Sequence, residues 1–300
     1  MSILAFVLIF LSAGLHASWN LIAKKSHMTL PFYAVLDVVA VLMGLWIWFK
    51  LPFDLPVLTS AFYLALAGSA FGETVYCLGL IMAYRKMDMS SAYPMMRSLP
   101  LLFTTLITAL LGMGEPLSLL AKFGMVTVFA GCLVMPLARF SDFRLSNYLD
   151  GKIAFVLMAA LGTTIYTICD SEAQSVMSSC APEVSSAMIS CTYYEFRHLA
   201  VLVPVGTLAL ALPVSRAEAA ELRRRELGAA VLAGVLSGLT YLLVLLAMNY
   251  VSNVSYVQAF RQLGLVVGML EGILILKERC TATKVLGIVL IVSGLVMTVV

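Results

Sequence analysis

The chain has 300 residues, of which 62% are hydrophobic and only 12% charged, and its mean hydropathy is +1.01. A soluble domain carries about 25% charged and about 45–50% apolar residues, so an ordinary water-soluble fold is excluded and lipid is the expected solvent. The net charge of +3 decides little by itself; where the charges sit decides more.

A spanning helix needs about 20 apolar residues. Apolar runs separated by charged or turn-rich breaks predict ten of them, at 2–22, 30–49, 58–84, 91–111, 117–137, 153–169, 185–212, 228–250, 255–276 and 283–300. The first run lacks a basic leader and a small-residue cleavage site, and His16, Trp19 and Asn20 interrupt its far end. It therefore reads as a retained helix and not a signal peptide. The polar stretch 139–152 is rich in charge and turn formers and divides the chain into 1–138 and 153–300. Five spans is an odd number, so the second set must enter from the opposite side. The fold class expected is all-α integral membrane, with ten transmembrane helices as two inverted five-helix repeats.

Alternation of the spans places Lys24, Lys25, Arg85, Lys86, Arg139, Arg144, Lys152, Arg216, Arg223, Arg224, Arg225, Lys277, Arg279 and Lys284 on one side, against Lys50 and Lys122 on the other. The positive-inside rule makes the rich side cytoplasmic. A multi-pass inner-membrane protein with both termini periplasmic is expected.

The halves echo each other. Arg97 and Arg261 stand 164 residues apart, while Glu115 and Glu278, Gly124 and Gly287, and Gly131 and Gly294 are each 163 apart. Fixed-offset similarity in an apolar chain points to a transporter built from two structural repeats. Small residues four apart (Gly68 and Gly72, Gly234 and Gly238, then Gly264, Gly268 and Gly272) mark faces where helix backbones approach closely.

Charges at membrane depth persist when they face a partner or a cavity. Arg97 and Arg261 are open to two readings, a snorkelling or structural pair with Glu73 or Glu271, or a pair of guanidinium groups presented to an anionic substrate. Glu73 is either a proton-coupling carboxyl or a counter-ion. Glu195 and Arg197, two residues apart, share no helix face. Each therefore needs a partner on another helix, and Asp37 is a plausible one for Arg197. Asp37, Arg197 and Glu271 are read as members of structural ion pairs. His16, Trp19, Asn20, Tyr76, Tyr93, Tyr241 and Gln258 are the candidate pocket lining, with Tyr166, Tyr256 and Gln262 nearby; Trp46 and Trp48 read as interfacial belt residues. Pro94 and Pro100 invite a break in the fourth helix, although Pro94 also suits a helix start. The six cysteines form no C-x-x-C pair and suggest no metal site; Cys169 and Cys180 are placed at either end of one loop, where they could pair.

At these residues a family resemblance is found. Gly14-Leu15-His16-Ala17-Ser18-Trp19-Asn20 with Lys24 resembles the first helix of EamA-type proteins of the drug/metabolite transporter superfamily. Tyr93-Pro94-x-x-Arg97-x-x-Pro100 with Gly114-Glu115-Pro116 resembles their fourth helix, and Phe260-Arg261-Gln262 with Lys277-Glu278-Arg279 resembles its partner in the second repeat. The resemblance covers both repeats and implies a central cavity and alternating access. The superfamily moves amino acids, sugars, nucleotide sugars, organic phosphates and drugs, so the resemblance leaves the substrate open. The His16–Asn20 stretch also resembles a subgroup linked with phosphonate utilisation. The sixth helix departs from the pattern, with Thr164, Tyr166 and Asp170 where the first has His16, Trp19 and lysines.

The function expected is secondary transport of a small polar or anionic metabolite of the amino acid, organic phosphate or phosphonate class. A non-transporting membrane receptor or assembly subunit is the alternative. An intramembrane enzyme ranks lower, because no nucleophile–base constellation or H-E-x-x-H motif occurs. No ATP-binding motif occurs either, so energy would come from a gradient or exchange. The expected partners are the small-molecule substrate and the lipid bilayer, with no cofactor, metal or nucleic acid, in a monomer or homodimer.

Overall fold

The computed structural model describes residues 2–26, 28–51, 58–87, 89–135, 137, 139–142, 151–274 and 280–299, with the backbone alone described at 24–25, 89–94, 271–272, 274 and 299. The described residues are mostly helical, without a strand among them: α1 (Ile3–Lys25), α2 (Leu30–Gly44), α3 (Ser60–Lys86), α4 (Met89–Leu111), α5 (Leu119–Val134), α6 (Ile153–Cys180), α7 (Ser186–Ala211), α8 (Pro213–Glu221), α9 (Leu227–Met248), α10 (Val254–Phe260), α11 (Leu263–Leu274) and α12 (Ala282–Val299).

Helix starts follow ordinary capping chemistry. The side chains of Ser2, Thr29, Ser118 and Ser185 each accept a hydrogen bond from a backbone N–H in the first turn that follows. The turn between α4 and α5 needs positive φ at Gly112 (64°) and Gly114 (70°), which glycine adopts without steric cost. Large apolar side chains such as Phe10, Leu64, Phe71, Leu110, Phe123, Val203 and Leu210 face outwards, while Asp37, Glu73, Asp170, Glu195, Arg197 and Arg261 are buried. This inside-out distribution is the pattern of a protein solvated by lipid. By length and composition, five stretches can cross a membrane: Ile3–Ala23, Leu30–Phe49, Ser60–Lys86, Ile153–Cys180 and Pro213–Met248. Met95–Leu111, Leu119–Val134 and Ala282–Thr298 are shorter apolar helices. In α7, Glu195, Arg197 and His198 interrupt an otherwise long apolar run.

The most extensive packing joins α3 to α6, α5 to α12 and α1 to α9. Glycine sets the closeness. A Cβ on Gly162 would stand 2.4 Å from the Tyr76 backbone nitrogen on α3. In α5 and α12, Gly124 packs on Gly294 and Gly131 on Gly287, so a Cβ at Gly124 would stand 2.5 Å from the Gly294 carbonyl oxygen. Early residues of one helix meet late residues of the other, so α5 and α12 run antiparallel. Gly264 and Gly268 of α11 face Ala13 and Ala17 of α1.

Three expectations about the elements are corrected. The sixth helix does not stop at residue 169 but continues to Cys180. Cys169 and Cys180 therefore lie on one helix, eleven residues or about 16 Å apart, and both are free thiols; a disulfide needs Cα atoms within about 7 Å. The helix break falls not at the prolines of α4, which is continuous, but at Arg261-Gln262 between α10 and α11.

Candidate functional site

Two clusters of buried polar groups meet at the centre of the bundle. The first is basic. Arg97 comes from α4, and Arg261 sits where α10 gives way to α11. The break frees backbone groups, and side chains from across the interface take them up. Arg97 Nη2 donates to the Arg261 carbonyl at 2.8 Å, and Gln262 Nε2 donates back to the Arg97 carbonyl at 2.9 Å and to the Gln258 carbonyl at 3.0 Å. This reciprocal clasp fixes α4 against the break. Gln258 Nε2 donates to Thr167 on α6 at 2.5 Å.

From α1, His16 closes the basic cluster. The Trp19 indole lies 3.1 Å from its Nδ1, and Arg97 Nη1 lies 3.0 Å from its Nε2. Indole and guanidinium nitrogens only donate, and a neutral imidazole offers a single acceptor. One of these two contacts is therefore donor against donor, whichever tautomer the ring takes. Arg97 Nε and Arg261 Nη1 are buried without a partner. Among the described residues, neither arginine has a carboxylate at ion-pair distance. The basic cluster is thus rich in donors and short of acceptors.

The second cluster is acidic on balance. Arg197 of α7 donates from Nη2 to Glu73 Oε2 of α3 at 2.7 Å, and its Nε stands 3.5 Å from Asp170 Oδ2 of α6. Its guanidinium lies 3.9 Å from the Tyr241 ring centroid, a cation–π contact. Tyr33 donates to Glu73 Oε1. Asp170 accepts from Ser69 and Tyr193, both at 2.5 Å, and from Tyr241. His198 Nδ1 meets Asp37 Oδ1 at 3.0 Å.

Asp37 therefore pairs with His198, and the expected Asp37–Arg197 pair is replaced by Arg197 with Glu73 and Asp170. Glu73 is the counter-ion of Arg197 and is not in ion-pair contact with Arg97 or Arg261. Trp48, expected at the interface, donates from its indole to Glu195 at 2.8 Å and supplies that carboxylate's partner. Of the expected lining, His16, Trp19, Tyr76, Tyr241, Arg261, Asn20, Gln258 and Arg97 all face the central cavities. The side chains of Tyr93 and Glu271 lie outside the described residues. Tyr166 and His198, polar groups that the sequence already places at membrane depth, lie here too, and Asp170, Tyr33 and Tyr193 complete the centre.

The centre is nearly closed. One cavity of about 40 Å³ is lined by His16, Asp37, Glu73, Tyr241 and Arg261 among others, and a second of about 20 Å³ by Asn20, Tyr84, Arg97 and Gln258. His16, Tyr76, Tyr166 and Arg261 line both. Larger spaces open at opposite ends of α9. One of about 660 Å³ is bordered by Ser26, Tyr84, Arg85 and Glu226, and another of about 440 Å³ by Ser171, Gln174 and Asn249. Tyr84 borders both the small basic cavity and the larger space at its end.

The crystal structure of another protein, 15% identical in sequence, superposes with a TM-score of 0.70 over 98% of this chain and 95% of that one; the two share a fold. No curated protein matches the chain. The family model of the EamA-like transporter family matches residues 151–300, which include α6, α7, α9 and the Arg261 break. That match takes in half of the chain, and with the lipid-facing exterior around it this chain belongs to the EamA-like transporter family, within the drug/metabolite transporter superfamily, as a multi-pass membrane protein.

Proposed function

We propose that the chain is a secondary transporter that carries a small polar or anionic metabolite, of the amino acid, organic phosphate or phosphonate class, across the inner membrane by alternating access. The observation that carries this reading is the pair of arginines, half-buried Arg97 and buried Arg261, each with a buried unpaired donor and no carboxylate at ion-pair distance among the described residues. Each buried donor left unpaired costs about 1–3 kcal/mol. An anionic oxygen placed between them would restore charge-assisted bonds, each contributing about 1.5–3 kcal/mol.

Ten spans in two inverted five-helix repeats, with both termini periplasmic and a monomer or homodimer in the membrane, complete the proposal. The antiparallel packing of α5 on α12 supports inversion, as does the exchange of partners between α3–α6 and α9–α1. Two open spaces at opposite ends of a closed centre support alternating access.

Flux into liposomes holding the purified protein tests the assignment. Uptake of amino acids, organic phosphates and phosphonates is measured for wild type, Arg97→Ala and Arg261→Ala. Loss of anion flux in both variants, each still monodisperse in detergent, is expected. Wild-type flux in both would sink the arginine assignment.

A further inference from the structure

The unpaired atoms of the centre are sorted by kind. At the basic end they are donors: Arg97 Nε, Arg261 Nη1 and the donor–donor contact at His16. At the acidic end, Asp37 Oδ2 is buried without a partner, and so is His198 Nε2. Because His198 Nδ1 faces the Asp37 carboxylate at 3.0 Å, a neutral ring carries its hydrogen on Nδ1 and offers Nε2 as an acceptor. Glu73 and Asp170 are already engaged by Arg197 and by the hydroxyls of Tyr33, Ser69, Tyr193 and Tyr241. Asp37 and His198 thus hold the free acceptors that face the cavity shared with Arg261.

The charges are sorted in the same way. Arg97, Arg197 and Arg261 stand with Asp37, Glu73 and Asp170 in the two clusters described above. Arg97 and Arg261 lie at one end, and Asp37, Glu73 and Asp170, with Arg197, lie at the other.

We propose that the substrate is dipolar: its anionic group is held by Arg97 and Arg261, and an ammonium group is held by Asp37 Oδ2. This rests on the transporter reading above and narrows its substrate class. The unpaired Asp37 Oδ2 gives an ammonium a carboxylate acceptor on the wall of the cavity that Arg261 also lines.

The test is thermal stability of the purified full-length protein with matched compounds at equal concentration: alanine, propionate and ethylamine, then 2-aminoethyl phosphate and ethyl phosphate. The expected result is that the amine-bearing anion of a set stabilises at concentrations at least tenfold lower than its partner without the amine. In Asp37→Asn that preference is expected to shrink below threefold while stabilisation by the simple anion persists. If the simple anion stabilises the wild type as well as its amine-bearing partner, or if Asp37→Asn keeps the full preference, the dipolar inference is overturned and the anion-transporter reading stands. If no anion stabilises the wild type, or ethylamine alone does, both fall. The wild-type comparison decides the inference even where Asp37→Asn does not fold.

Discussion

Arg197 is the central cation of the acidic cluster, and its removal gives a worked prediction. The side chain is 2% exposed, pairs with Glu73 at 2.7 Å and faces Asp170 at 3.5 Å. Arg197→Met keeps the volume and removes the charge. Two carboxylates are then buried without their counter-ion, and breaking a buried pair from one side costs about 3–5 kcal/mol. Asp170 retains hydroxyl donors from Ser69, Tyr193 and Tyr241; Glu73 retains only Tyr33. Most of the penalty should therefore sit on Glu73. Adding Glu73→Gln removes that stranded charge and should recover at least about 1 kcal/mol, within the usual range of coupling between contacting residues. Reversible unfolding in mixed detergent micelles, run as a double-mutant cycle, measures both quantities. Wild-type stability in Arg197→Met, or a double variant no more stable than the single one, would refute the reasoning.

Gly131→Ala should destabilise by about 1–3 kcal/mol through overpacking, because its Cβ would stand 2.8 Å from the Gly287 carbonyl oxygen; the melting temperature in detergent reports it. Asn253 donates to the Met113 and Glu115 carbonyls at 3.1 Å each and caps α10 through Ser255. Asn253→Ala should cost about 1–3 kcal/mol, read from the same melts, with Asn253→Asp failing to rescue because a carboxylate cannot donate. Oxidation of the purified protein should leave Cys169 and Cys180 unlinked, so that both are alkylated under denaturing conditions; a bridged peptide in the mass spectrum would contradict the continuous α6.

The glycine echo was legible in the sequence because close helix packing admits no side chain. Gly124, Gly131, Gly287 and Gly294, found by their spacing, are the contact points of α5 and α12. The central polar groups were legible because each is a charge or an amide in an apolar run. Their partners were not, because helical spacing fixes a residue's face and leaves open which helix it meets. Spacing alone makes Asp37 a plausible partner for Arg197, whereas His198 lies against it at 3.0 Å. Asp170 stands one residue beyond the apolar run that ends at 169, so the sequence marks it as a departure from the first helix and not as a partner for a buried charge. The helix continues past Cys169, where Gln174 is held by a tertiary contact, accepting from Ser190 at 2.6 Å. The break at Arg261-Gln262 carries no proline or glycine signal. It is held by Arg97 on another helix, a cause that no local pattern records.

The most direct test of the account is equilibrium binding of the best-stabilising anionic compound to wild type, Arg97→Gln and Arg261→Gln. A lost charged hydrogen bond of about 1.5–3 kcal/mol corresponds to about a tenfold to hundredfold weaker Kd, and that loss is predicted for each variant. Unchanged affinity in both variants would contradict an anion site at the arginines and leave their role structural.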